Sequence, residues 1–167
     1  MLIYLVRHAI AAERDAGVLN DGARELTPEG IKKMRRHAAA LVTLGAQIDE
    51  VWTSPLVRAR QTAEILAAGL LPAPPVKTLT SLEPGGDFES LRNRLAQNRQ
   101  LTAVALVGHE PFMGEFTGYL LGAGRGVAFR YKKGGIGLVE IDDLAPPLRG
   151  ELCWLMAPKQ LGRIGKE

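Results

Sequence analysis

The chain has 167 residues, 46% hydrophobic and 23% charged, with a net charge of +3 and a pI near 9.2. That is enough for one domain with a substantial core, and the composition is ordinary for a soluble globular protein. The Lys and Arg are spread along the chain and aromatics make up only 5% of it, which argues against nucleic-acid binding and leaves an anionic substrate or an acidic partner as the meaning of the basic balance.

No apolar stretch approaches the roughly 20 residues of a membrane span. The N-terminus lacks the cationic-then-apolar build of a signal peptide, so a cytoplasmic location is expected. Leu2-Ile3-Tyr4-Leu5-Val6 is an unbroken apolar run, the pattern of a strand buried on both faces, and Arg7 and His8 follow it directly. A polar loop with Gly17, Asn20, Asp21 and Gly22 comes next. Thr27 as N-cap and Pro28 in the first helical position then open a helix, with Ile31, Met34, Ala38, Leu41 and Val42 inward and Gly45 at its end. A second strand is predicted over Ile48 to Thr53. Ser54-Pro55 is read as another cap and proline, opening a helix whose inner face is Leu56, Ala59, Ala63, Leu66 and Ala67.

Pro72 to Pro75 breaks the chain before a short strand near Val76 to Leu79. Glu83-Pro84-Gly85-Gly86-Asp87 is a loop, and Phe88 to Arg99 a helix with Leu91 and Leu95 inward. Val104-Ala105-Leu106-Val107 repeats the buried-strand pattern and ends in Gly108-His109-Glu110-Pro111, followed by a helix from about Pro111 to Leu121. Ile136 to Ile141 and Glu151 to Met156 form a terminal β pair. Cys153, the single cysteine, reads as a buried hydrophobe of that last strand. Strands alternating with helices, without repeat or linker, predict one α/β domain over residues 1–167: a three-layer fold with a mainly parallel sheet flanked by helices and possible antiparallel edge strands near the C-terminus.

Two of the three histidines thus end apolar strands, where open α/β sheets bind ligands. Arg58, near the start of a helix, suits an anion held at that helix end, and its guanidinium matches phosphate in a bidentate manner. Arg60 points elsewhere and is expected in solvent. Arg7 and Arg58 as a clamp, with His8 and His109 approaching from two strand ends, form a constellation for phosphoryl transfer, which needs positioning and charge stabilisation. A neutral imidazole is a nucleophile able to form a phosphoenzyme, and nearby guanidiniums favour the neutral form. Zinc is not expected, because His37 lies in the basic stretch Lys32 to His37 of a helix. A cysteine phosphatase is excluded, since Lys159 and not an arginine stands six positions after Cys153. There is no Gly-x-Ser-x-Gly elbow and no complete P-loop.

Leu5-Val6-Arg7-His8-Ala9 resembles the Arg-His nucleophile motif of the histidine phosphatase superfamily, the phosphoglycerate-mutase-like branch. Leu26-Thr27-Pro28-Glu29-Gly30, Ser54 through Thr62 and Val107-Gly108-His109-Glu110-Pro111 are similar to further family blocks in order. The short chain and the Glu83 to Asp87 loop most resemble the small phosphohistidine phosphatases of SixA type. The resemblance implies that His8 accepts the phosphoryl group, that Arg7 and Arg58 bind its oxygens, and that His109 contacts it and stabilises its charge. It implies no metal and no cofactor.

Ala9 stands where the broad family usually has Gly, which suggests ordinary backbone angles there. Many members use a carboxylic acid to protonate the leaving oxygen. Glu83 is the candidate by position, with Asp21 and Asp87 weaker and a loop carboxylate without catalytic role the competing reading. Arg24 is a candidate substrate contact. The P–N bond of phosphohistidine is labile and its imidazole leaves with its own proton, so an acid is dispensable there. No long insertion between Ser54 and His109 supplies a lid, and an open pocket would admit a protein surface. The expectation is a phosphatase acting on a phosphohistidine-bearing signalling or phosphotransfer protein. The alternatives are a phosphatase for a small metabolite and a non-catalytic phosphoryl-binding module.

Overall fold

The structure, a computed structural model, describes residues 1–13, 20–123, 127 and 129–165. Gly17 of the predicted first loop lies outside them. Among the described residues six strands form one sheet: β1 (Leu2–Arg7), β2 (Glu50–Thr53), β3 (Val76–Thr78), β4 (Ala103–Gly108), β5 (Ile136–Glu140) and β6 (Glu151–Met156). Their order is β3-β2-β4-β1-β5-β6. The first four in that order run parallel, and β5 and β6 complete the sheet antiparallel. The helices are α1 (Pro28–Thr43), α2 (Val57–Ala68), α3 (Phe88–Ala96), α4 (Phe112–Leu120) and α5 (Pro158–Ile164). Short 3-10 turns lie at Asp21–Ala23 and Thr80–Leu82.

Because side chains alternate across a strand, the apolar run of β1 serves two cores. Tyr4 and Val6 face one with Met34 and Leu41 of α1 and Ala59, Ala63 and Leu66 of α2. Ile3 and Leu5 face the other with Leu91 and Leu95 of α3 and Phe112 and Phe116 of α4. Helices therefore cover both faces.

Thr27 caps α1 through its hydroxyl, which accepts from the Gly30 N–H at 3.0 Å, and Pro28 follows in the first turn. The helix closes with Ala46 N–H donating to Leu41 O and Gly45 N–H to Val42 O, the Schellman pair that the sequence placed at Gly45. Val42, expected inside, is 49% exposed. It stands at the edge of the inward stripe, and His37 on the other flank is buried in its place. The second cap expectation fails. The first turn of α2 begins at Val57 with Leu56 as N-cap and no side-chain cap, the Ser54 hydroxyl accepting instead from the Leu56 N–H at 3.3 Å ahead of the helix.

Cys153 is also corrected: its thiol is exposed. β6 is the sheet edge, and the residues Glu151 to Cys153 are exposed there. Several elements come out shorter than the patterns suggest: β2 begins at Glu50, β3 ends at Thr78, α3 ends at Ala96, α4 runs from Phe112 to Leu120 and β5 ends at Glu140. The sequence reading missed α5, although Pro158 in its first turn is a start signal and Gln160 accepts from the Ala157 N–H at 2.7 Å. Among the described residues no helix is long and apolar enough to cross a membrane.

Candidate active site

Strand register places the site. Arg7 of β1 stands opposite Gly108 of β4, and Thr53 of β2 opposite Val107, so three parallel strands end together. The next residues, His8, His109 and Ser54, therefore emerge at one edge. Two backbone bonds continue the ladder into that edge: His8 N–H donates to Gly108 O at 2.9 Å and Ser54 N–H to Val107 O at 3.0 Å. Behind them, Gly134 donates its N–H to the carbonyls of Arg7 and His8 at 3.1 and 3.0 Å. It does so at a φ of 80°, a conformation that glycine adopts without strain.

The two imidazoles lie 5.2 Å apart between ring centroids. Both are buried, His8 6% and His109 3% exposed, so the site is recessed rather than displayed on an open surface. His8 Nδ1 lies 2.7 Å from Ala9 O. A carbonyl only accepts, so Nδ1 carries the proton and donates, leaving the Nε2 lone pair of the neutral ring for a substrate. Ala9 has no positive φ, and its N–H donates to Thr62 Oγ1 at 3.0 Å. Ordinary angles do suffice where Gly was the family habit. His109 Nε2 lies 2.9 Å from Ser54 Oγ. Its Nδ1 and the Nε of Arg7 are buried with no hydrogen-bond partner among the described residues. Such orphans cost free energy that an incoming anion recovers.

Burial, then the charges of Arg58, Arg7 and Lys133, push His8 down to about 4 against the opposing pull of Ala9 O. Burial, then His8 and the two guanidiniums, push His109 down to about 3, with Asp21 pulling the other way. Arg7 and Arg58 thus each act on both rings, and the four residues singled out in the sequence converge. Arg7 Nη1 is tied to Tyr131 O at 2.7 Å. Arg58, 4% exposed in α2, donates from Nη1 to Asp21 O at 2.9 Å and from Nη2 to Asp21 Oδ2 at 3.2 Å.

The remaining candidates fall around this centre. Arg24 donates from Nε to Asp21 Oδ1 at 2.8 Å and from Nη1 to Ala12 O at 2.7 Å, so it braces Asp21 beside Arg58. Glu83 caps the Thr80–Leu82 turn, which packs against Gly108 at the end of β4. Among the described residues its carboxylate makes no hydrogen bond or ion pair with either imidazole. Asp87 caps α3, accepting from the Ser90 N–H at 2.7 Å. Arg60 faces solvent with its side chain 53% exposed, as expected. His37 is buried against Gly134, the glycine bonded to the Arg7 and His8 carbonyls, and no cluster suited to a metal occurs among the described residues.

Residues missed by sequence reasoning hold this arrangement. Ser54 reads as a helix cap and Thr62 only as the end of a family block, and they turn out to be buried partners of His109 and Ala9. Glu110 accepts from Tyr131 N–H at 2.5 Å and Gly114 N–H at 3.3 Å, and so fixes the segment whose carbonyl holds Arg7. Its place directly after His109 was the available signal.

The sequence pattern of the histidine phosphatase superfamily (branch 1) matches residues 3–100. The chain belongs to this superfamily. It is 38% identical over 138 residues to an uncharacterised protein of Picosynechococcus, covering 81% of this chain and 82% of that one. It is 31% identical over 116 residues to the phosphohistidine phosphatase SixA of Escherichia coli (strain K12), covering 68% of this chain and 70% of that one. Among solved structures, the protein histidine phosphatase SixA complexed with tungstate superposes with a TM-score of 0.85 at 27% identity, over 96% of this chain and 99% of that one. A fold likeness at 18% identity and a TM-score of 0.74 extends to an α-ribazole-5'-P phosphatase of Escherichia coli.

Proposed function

We propose that the protein hydrolyses phosphohistidine on a partner protein through a covalent phosphoryl group on His8. The observation that carries this is the His8 ring: neutral, with Nδ1 engaged by Ala9 O and Nε2 left as nucleophile, beside a second neutral imidazole and within the field of Arg7 and Arg58. In the first step Nε2 attacks phosphorus in line and the P–N bond to the substrate ring breaks. Its electron pair goes to the departing nitrogen, and a ring already protonated on the other nitrogen leaves as neutral imidazole. Arg7, Arg58 and His109 take up the charge on the equatorial oxygens. In the second step water attacks phospho-His8, releasing inorganic phosphate and restoring the ring. The kinship with SixA and the tungstate held by one solved SixA, a tetrahedral oxyanion, support a phosphoryl site.

Phosphohistidine is favoured over a phosphoester by what surrounds the rings. Asp21 acts on His109 through its charge, but its oxygens accept from two guanidiniums, the role of a carboxylate and not of a proton donor. An alkoxide leaving group needs a proton and an imidazole does not. A phosphoimidazole also stands off from its own backbone far enough to enter a recessed site. A cytoplasmic setting suits the exposed thiol of Cys153, which a reducing compartment keeps free.

Competitive turnover tests the proposal: a phosphohistidine domain is mixed with phosphoserine and a sugar phosphate, and phosphate release from each is followed. The domain should be consumed first, with the phosphoryl group trapped on His8 in rapidly quenched samples and all turnover lost in His8→Ala. Preferred hydrolysis of the sugar phosphate makes the protein a small-metabolite phosphatase. Binding without turnover makes it a phosphoryl-binding module.

A further inference from the structure

Beside Arg7 the surface opens into a groove of about 570 Å³, lined by Arg7, Lys33, Arg130, Lys132 and Lys133 together with apolar and aromatic neighbours. No carboxylate lines it among the described residues. Lys33 is paired with Glu29 at 2.6 Å. Arg130, Lys132 and Lys133 are exposed around the buried Tyr131, whose carbonyl anchors Arg7. On the other face of the sheet, a cavity of about 1000 Å³ borders α3 and α4 and carries Asp87, Glu89 and Glu115. The two pockets thus differ in charge, with Glu89 of the second paired to Arg92 at 2.8 Å, and the basic one is continuous with a proposed phosphoryl ligand.

We propose that this groove receives acidic side chains flanking the phosphorylated residue of a protein substrate, with Arg130, Lys132 and Lys133 as their counter-charges. The inference rests on the reading of Arg7 and His8 as the phosphoryl site. The Lys133 charge also reaches His8, so groove and nucleophile share one field. A substrate with carboxylates on one flank is drawn in by the groove, which favours one orientation of approach. Contacts between exposed charges are screened within about 10 Å at ordinary ionic strength, so the effect belongs to encounter and KM and is sensitive to salt.

The test uses two heptapeptide sets, one with a central phosphohistidine and one with phosphoserine, each flanked by either Glu or Ser. With wild-type protein at low salt, kcat/KM should be about tenfold higher for Glu flanks than for Ser flanks, and the ratio should fall toward about 2 in high salt. In Arg130→Ser/Lys132→Ser the ratio should collapse through KM. The wild-type salt profile gives the same answer without relying on how the variant folds. A ratio near 1 in wild type, a ratio indifferent to salt and to the double substitution, or turnover of neither set overturns the inference. Turnover confined to the phosphoserine set overturns the phosphohistidine proposal instead, and the flank preference is then read from that set.

Discussion

At the scale of single residues the site is a balance of buried neutral bases and cations. Both rings are neutral because charging them without an anion is expensive. A bound dianion reverses that cost. Inorganic phosphate should therefore raise the pKa of His109 from about 3 by at least one unit. NMR titration of the ring with and without phosphate measures this, and an unmoved pKa would place the anion elsewhere. Glu110 acts at one remove, through Tyr131, on Arg7. Glu110→Ala should lower kcat/KM for a phosphoryl substrate about tenfold, because it frees the segment whose carbonyl holds Arg7. Glu110→Gln keeps an acceptor and should restore much of it. Equal losses in both variants would point to a role for the charge itself. The strand-end histidines were legible because an apolar run followed by Arg-His is a local pattern. Glu110 was not, because its partners are 4 and 21 positions away.

Elements deliver these residues. α1 opens against the backbone that follows His8: Thr27 N–H donates to Ile10 O at 2.9 Å, and a side chain at Gly30 would overlap the same carbonyl. The glycine of the Leu26–Gly30 block is therefore a packing requirement. Gly30→Ala gains helix propensity of about 1 kcal/mol, yet backbone displacement there should cost about 1–3 kcal/mol, with more expected from a rigid carbonyl than a flexible side chain. A Tm lowered by several degrees in calorimetry is the expected outcome, and a Tm at or above wild type would show that Ile10 yields freely. Ser54 shows the opposite case. By local rules it is a helix cap, but it becomes the partner of His109 because β2 and β4 end side by side. Its hydroxyl still accepts from the Leu56 N–H at 3.3 Å, and the added contact with His109 is one no window of neighbouring residues reveals.

Across the whole molecule, all three histidines are buried and all three titrate below their ordinary value. In the unfolded chain they take up protons near 6.5, whereas the folded chain resists until about 4 for His8 and about 3 for His109. Between those values the unfolded state binds more protons, so stability rises with pH and is lost on acidification. From pH 7 to pH 5 the loss should be about 2 kcal/mol each for His8 and His109, read as a falling urea midpoint. Inorganic phosphate should restore part of it by binding the folded state. A midpoint unchanged between those pH values would contradict the burial of the rings as neutral bases.

The sequence alone determined the layered fold, the order of its elements and the four charged or basic side chains at its centre. Apolar runs, caps and prolines are short-range signals, and an Arg-His or Gly-His pair directly after a strand states its own position. Only the tertiary structure decided that Ser54 faces His109, that Asp21 lies between two arginines, that Cys153 is exposed on an edge strand and that the cations of 130–133 gather beside Arg7. Those facts depend on strand register and on which strand is left at the edge. Both are set by the packing of distant segments against one another, which adjacent residues do not encode.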